Sequence, residues 1–194
     1  MENDKTCGME QHPWEPFMPS GAKILIMGTF PPGMHRWSMD FYYPNPTNDF
    51  WRIMGLLYYG DRDALWLASE RRFDLARIKK LMTEKHIALN DTAKVVRRLK
   101  GNASDKFLEI IEPVDLDSLL ERMPQCHAVA TTGEKAARVV ADLTATTIPR
   151  MGDSVQGPRD VRIWRMPSTS RAYPLALARK AEYYGAMLRA EGCL

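Results

Sequence analysis

The run Lys23 to Met27 is short, nearly all apolar, and closed by Gly28. Five residues are too few for a helix to bury a stripe, and an apolar run without alternation fits a strand covered on both faces, as strands in parallel sheets are. Three further short runs, His86 to Asn90, Gln125 to Ala130 and Val161 to Met166, follow at intervals that leave room for a helix between each pair. This pattern predicts an α/β fold, a three-layer α/β/α sandwich around a central, mostly parallel four-stranded sheet.

The intervening segments read as helices by their spacing. Phe50, Ile53, Met54, Leu57 and Tyr58 fall on one helical face, with Asn48 a credible N-cap and Asp49 a favourable charge in the first turn. A basic amphipathic helix is predicted over Asp74–Glu84, a compact one over Asp115–Met123, one over Glu134–Leu143 and a last one over Leu175–Ala190. Thr131 and Glu134 have the spacing of a capping box. Asp91 to Asn102 holds Lys94, Arg97, Arg98 and Lys100 among few apolar residues and reads as a surface arm or frayed helix, with a short helix over Lys106–Ile111. Residues 1–20 contain Pro13, Pro16 and Pro19 beside Trp14, Phe17 and Met18, an irregular segment expected to pack down. Pro31, Pro32, Pro44 and Pro46 exclude regular structure from Thr29 to Thr47, and Pro149 to Pro158 is a second loop.

With 194 residues the chain is expected to form one domain. Its 27 Lys and Arg against 24 Asp and Glu permit nucleic-acid contact without demanding it, so the placement of the positives matters more than their sum. Cys7, Cys126 and Cys193 are too few and scattered for a disulfide framework or a thiolate metal site, which points to a reducing cytoplasm and no structural metal. No apolar segment reaches the roughly 20 residues of a membrane span, and the start of the sequence lacks a signal peptide's basic and apolar regions.

In open α/β sheets, ligands gather at the carboxyl ends of the strands. Four turns converge there: Gly28–Gly33, Asn90–Thr92, Thr131–Gly133 and Pro167–Ser170. Small and hydroxyl residues in such turns suit the close approach of a phosphate, although Gly, Pro, Ser and Thr are also simply what turns are made of. Gly28–Gly33 has neither the glycine spacing of a dinucleotide fingerprint nor the Gly-Lys-Ser/Thr of a P-loop, which argues against a dehydrogenase or NTPase.

Four stretches in order resemble the uracil-DNA glycosylase superfamily, nearest its mismatch-specific uracil/thymine and hypoxanthine-DNA glycosylase branches. They are Gly28-Thr29-Phe30-Pro31-Pro32-Gly33, then Tyr42-Tyr43-Pro44-Asn45-Pro46-Thr47-Asn48-Asp49-Phe50-Trp51, then Thr131-Thr132-Gly133-Glu134, and Met166-Pro167-Ser168-Thr169-Ser170. The resemblance implies an enzyme that flips a damaged base out of the stack and clamps it on an aromatic face. It then stabilises a positively charged sugar while the base leaves as an anion.

On that resemblance Tyr43 is the stacking aromatic, against the plainer reading of a tyrosine packed under its loop. Gly28, Thr29, Phe30, Pro31 and Gly33 line the pocket floor. Asn90 falls where some relatives read a pyrimidine edge. Ser168 and Thr169 hold phosphates, residues 169–172, including Ser170, enter the gap left by the base, and Arg171 is the wedge or phosphate contact. Phe30 departs from the pattern, because many relatives place a water-activating Asn or Asp there and a phenyl ring does neither job. The resemblance moves the catalytic role to Asn48, with Asn45 second, against the cap reading of Asn48. An amide carbonyl orients water without acting as a general base.

The implied function is a monofunctional DNA glycosylase, without cofactor, acting as a monomer on DNA that contains a damaged base such as uracil or hypoxanthine. A catalytically silent nucleic-acid-binding member of the same fold is the alternative that Phe30 raises, and an unrelated α/β enzyme acting on a small nucleotide is a third. Lys94, Arg97, Arg98, Lys100, Arg150 and Arg159 are candidates for further phosphate contacts, or for an ordinary solvated face.

Overall fold

The computed structural model describes residues 8–99 and 107–194. Strands β1 (Met9–Gln11), β2 (Ile24–Gly28), β3 (Trp66–Leu67), β4 (Arg72–Phe73), β5 (Ile87–Asp91), β6 (Ala93–Arg98), β7 (Leu108–Pro113), β8 (Ala128–Thr132), β9 (Ser154–Gln156) and β10 (Arg162–Met166) alternate with five helices. These are α1 (Phe50–Tyr59), α2 (Leu75–Glu84), α3 (Leu116–Glu121), α4 (Glu134–Thr144) and α5 (Leu177–Ala190). The central sheet has the order β5-β2-β8-β10-β9. Its first four strands are parallel and are the four read from the sequence, while β9 pairs antiparallel with β10 at the edge. The sheet therefore has five strands rather than four; the fifth lies inside the loop Pro149–Pro158, too short and too polar at Ser154 and Gln156 to stand out.

Strand β2 shows why the sandwich forms. Ile24, Leu25, Ile26 and Met27 have no exposed surface, and burial of each side chain is worth about 1.5–3 kcal/mol. Successive side chains point to opposite faces. Ile24 and Ile26 join a core with residues of α1, α2 and α5, while Leu25 and Met27 join one with residues of α3 and α4.

A second sheet, antiparallel in the order β1-β6-β7, replaces the arm and short helix expected around residues 91–111. That stretch does not alternate, because irregularities in the pairing between Ala93 and Val96 place these two residues, three apart, in one core: Ala93, Val96 and Leu108 are buried together, with Phe30 packed against them. The basic side chains on it are paired across strands, Lys94 with Glu112, Arg97 with Glu109 and Arg98 with Glu10. They form a charge-balanced ladder rather than a positive rim, and Arg159 is likewise held by Asp117 and Glu121. Cys7, Lys100, Asn102 and Lys106 lie outside the described residues. Cys126 and Cys193 are buried thiols without a disulfide, burial pushing both up to about 11.

The expected capping box at α4 does not form. Thr131 belongs to β8 and its hydroxyl donates to the Trp164 carbonyl, while Gly133, at φ +110°, makes the turn into the helix. Among the described residues, no helix is long and apolar enough to cross a membrane.

Candidate functional site

A cleft of about 680 Å³ opens at the carboxyl ends of the parallel strands. All four of the sequence motifs reach it. Gly28, Thr29, Phe30 and Pro31 come from the end of β2, Tyr43, Asn45 and Asn48 from the loop before α1, and Ser168 to Arg171 from the turn after β10. Thr132 arrives from β8 and Asp91 from β5.

The first loop is fixed by its backbone. Arg98 Nη2 donates to the Pro31 carbonyl at 2.6 Å and the Trp37 indole to that of Pro32 at 2.7 Å. Gly28 has a steric reason to be glycine. A methyl group at its Cα would meet Asp91 Oδ1 at 2.6 Å, with the Tyr43 hydroxyl at 3.4 Å and Thr132 Oγ1 at 3.6 Å. Phe30 packs edge-on to His12 with ring centres 5.4 Å apart and lies under the Arg98 guanidinium at 5.7 Å. Phe30 thus fastens the first loop to the second sheet. Gly33 does not line the cleft; it begins the turn Met34–Arg36, whose Arg36 stands at the cleft edge.

Tyr43 stacks on Phe50, ring centres 3.9 Å apart and planes 16° from parallel, and its hydroxyl meets Thr132 Oγ1 at 3.2 Å. Its backbone sits at φ +52°, a left-handed conformation that costs a non-glycine residue of order 1–3 kcal/mol and persists where surrounding structure imposes it. Tyr43 is half-buried, so the packed reading and the cleft-lining reading both describe part of it.

Asn48 and Asn45 both line the cleft, and both have carbonyls already in use. The N-cap of α1 is Asp49 rather than the expected Asn48, but Asn48 Oδ1, one residue earlier, accepts from the Phe50 N–H at 2.9 Å and so covers one of the open donors at the start of the helix. An amide oxygen has a second lone pair, so this cap leaves one acceptor site. Asn45 Oδ1 accepts from both the N–H and the hydroxyl of Thr47. Asp49 is withdrawn from the cleft and buried, between Arg171 and Lys180.

The fourth turn is self-braced. Ser168 Oγ accepts from the Ser170 N–H and Ser170 Oγ from that of Ala172, both at 3.2 Å. Thr169 is buried, and its carbonyl accepts from the Asp49 N–H at 2.8 Å. Asn48 and Ser170 pair as adjacent antiparallel strands do, so the second and fourth motifs form one wall.

Asn90 is not in the cleft. Its side chain is buried and its Oδ1 lies 3.0 Å from the Tyr42 hydroxyl. Alternation along β5 turns the next residue, Asp91, toward the opening instead. Asp91 is joined to His12 at 2.9 Å. His12 is brought there by the pairing of β1 with β6, its own N–H donating to the Lys94 carbonyl at 2.8 Å. Burial lowers the His12 pKa, but the hydrogen bond and charge of Asp91 outweigh it and leave the value raised above 6.5. Burial, with Asp91 nearby, pushes the Tyr42 phenol well up. A polar pair ending an otherwise apolar strand was the available signal for Asp91, whereas nothing local marked His12.

A hypoxanthine DNA glycosylase from Methanosarcina acetivorans is 33% identical over 117 residues. The aligned stretch covers 59% of this chain and 66% of that relative's length. The chain belongs to the uracil-DNA glycosylase superfamily. A solution NMR structure of a candidate uracil DNA glycosylase, also from Methanosarcina acetivorans, superposes with a TM-score of 0.65 at 21% identity, covering 95% of this chain and 99% of the other. That likeness carries the three-layer fold of the superfamily. No protein-family model matches the chain.

Proposed function

We propose that this superfamily member is a monofunctional DNA glycosylase that flips out a deaminated base, uracil or hypoxanthine, and hydrolyses its N-glycosidic bond to leave an abasic site. One observation carries the reading: the cleft at the strand ends gathers the glycine-proline loop, the Tyr43 loop and the serine turn into one concave surface. The 33% identical relative named for hypoxanthine supports the choice of base.

In this reading the base lies over Gly28 and Thr29 against Tyr43, where a larger side chain at Gly28 would collide with Asp91. Stacking of this kind contributes on the order of 1–3 kcal/mol per base. Ser168, Ser170 and Arg171 contact the phosphates flanking the flipped nucleotide, and Arg36 does so from the opposite motif. Asn48 orients water with the lone pair its cap leaves open. The abasic product needs no covalent intermediate, and Lys180, the buried lysine near the wall, is engaged by Asp49 and the Ser170 carbonyl.

The test is a panel of single- and double-stranded oligonucleotides carrying uracil, hypoxanthine, xanthine or mismatched thymine, read by alkaline cleavage. Strand scission at uracil or hypoxanthine is expected. Absence of release from every substrate defeats the proposal, and tight binding to abasic DNA without release would identify a silent binder, the reading that Phe30 favours.

A further inference from the structure

Phe30 removes the water-activating group from the first loop, and the structure brings a carboxylate to the same space by another route. Asp91 is the register partner of Gly28 across the β2–β5 pair, and its Oδ1 lies 2.6 Å from where a Cβ on Gly28 would stand. The Tyr43 hydroxyl and Thr132 Oγ1 converge on the same point. Only 6% exposed, Asp91 nonetheless lines the cleft.

The other carboxylate oxygen is held. His12 Nε2 lies 2.9 Å from Asp91 Oδ2, and its Nδ1 lies 2.9 Å from the Trp14 carbonyl and 3.3 Å from the Trp14 N–H. The Trp14 carbonyl and an ionised carboxylate only accept, so a ring that keeps both of these contacts carries both protons, in keeping with its raised pKa, whereas a neutral ring would instead accept from the Trp14 N–H at Nδ1. Tyr42 stacks on it at 5.6 Å, Trp14 and Phe30 meet it edge-on, and Glu15 adds negative charge. Arg98, over Phe30, is balanced by Glu10.

We infer that Asp91 is the catalytic carboxylate of this cleft and His12 the residue that positions it, an assignment that rests on the glycosylase reading. The water oxygen bonds to C1′ as the bond from C1′ to the base nitrogen breaks. That bond's electron pair leaves with the base, the water's proton passes to Asp91 Oδ1 and on to solvent, and the base anion takes a proton from solvent. Before attack, the negative charge on Oδ1 stabilises the cationic sugar. His12 holds Oδ2, which keeps the carboxylate from turning away, and the missing side chain of Gly28 leaves room beside Oδ1.

The experiment compares wild type with Asp91→Asn, which keeps the shape, and His12→Phe, which keeps the ring packing. It reads single-turnover base release against pH, and binding to duplexes carrying a cationic pyrrolidine or a neutral tetrahydrofuran abasic analogue. Asp91→Asn is expected to slow release on the order of 10²-fold or more and to lose preference for the cationic analogue, with tetrahydrofuran binding unchanged. His12→Phe is expected to slow release about tenfold without weakening binding, and to remove the wild-type limb at which the imidazolium titrates. Wild-type release and charge preference in Asp91→Asn overturn the assignment of Asp91. An unaltered pH profile in His12→Phe overturns the positioning role, and this variant carries the test should Asp91→Asn not fold. Selective binding of the cationic analogue by a wild type that releases no base overturns the glycosylase reading instead.

Discussion

Asp49 Oδ2 lies 3.0 Å from the Nζ of Lys180, a lysine with no exposed surface, while Asp49 Oδ1 takes the Arg171 guanidinium at 3.0 Å. Lys180 also donates to the Ser170 carbonyl at 2.8 Å. The start of α1, the serine turn and α5 are therefore clamped around one carboxylate. That clamp sets the distance between the Tyr43 loop and the turn proposed to grip DNA.

Asp49→Ala is expected to destabilise the protein by about 3–5 kcal/mol, because it leaves the Lys180 ammonium buried without a counter-charge. The double variant Asp49→Asn with Lys180→Met removes both charges and is expected to recover most of that loss. Urea unfolding of the single and double variants, read as a shift in midpoint at constant slope, checks both statements.

Arg171 is 43% exposed at its side chain, so its share of the clamp is screened and worth less than about 1 kcal/mol in stability. Arg171→Ala is expected instead to weaken DNA affinity more than the rate of base release. Equal loss in both, measured by titration and single turnover, would tie Arg171 to the chemistry.

For Tyr43, replacement by Ala is expected to lower affinity for base-containing DNA by about 1–3 kcal/mol, whereas Tyr43→Phe keeps the ring and loses the hydroxyl that meets Thr132. Tyr43→Phe behaving like Tyr43→Ala in a fluorescence titration would show that the hydroxyl, not the stack, matters. The stack on Phe50 predicts a stability cost for Ala as well, which thermal melting separates from the binding effect.

Much of this site was legible in the sequence because parallel strands with both faces buried announce themselves by composition, and their carboxyl ends then locate the cleft. Gly28 and the serine turn lie where that logic puts them, and Tyr43 and Asn48, which only the family resemblance singled out, line the same cleft. The second sheet was not legible, because Lys94, Arg97 and Arg98 make β6 look like a solvated arm while its buried residues are only Ala93 and Val96. Missing that sheet meant missing His12, whose contact with Asp91 exists only because β1 pairs with a strand more than 80 residues away. Asn90 and Asp91 were separated only by strand alternation, and the expected polar residue turned inward while its neighbour reached the cleft.

The His12–Asp91 pair makes stability depend on pH with a definite sign. The folded pKa of His12 lies above 6.5, so its contribution is fully present below the unfolded value and is lost as pH rises through the folded one. The melting temperature of wild type minus that of His12→Phe is therefore expected to be largest at about pH 5 and to shrink toward about pH 9. A difference that grows with pH would mean that the ring is neutral in the fold.

Asn48 is the residue on which structural and chemical roles overlap, and its variants separate them. Its carbonyl caps the Phe50 N–H, so Asn48→Ala is expected to cost about 0.5–2 kcal/mol of stability whatever else the residue does. Asn48→Asp keeps an acceptor in the same place and is expected to restore the cap. The carboxylate would, however, stand in the cleft with Asp91 and accept protons that an amide does not. If Asn48 orients water, Asn48→Ala loses turnover beyond its loss of stability, and Asn48→Asp changes the pH dependence of release while melting like wild type. If Asn48 is only a cap, release per folded molecule is unchanged in both variants, and the chemistry of the cleft falls to Asp91 alone.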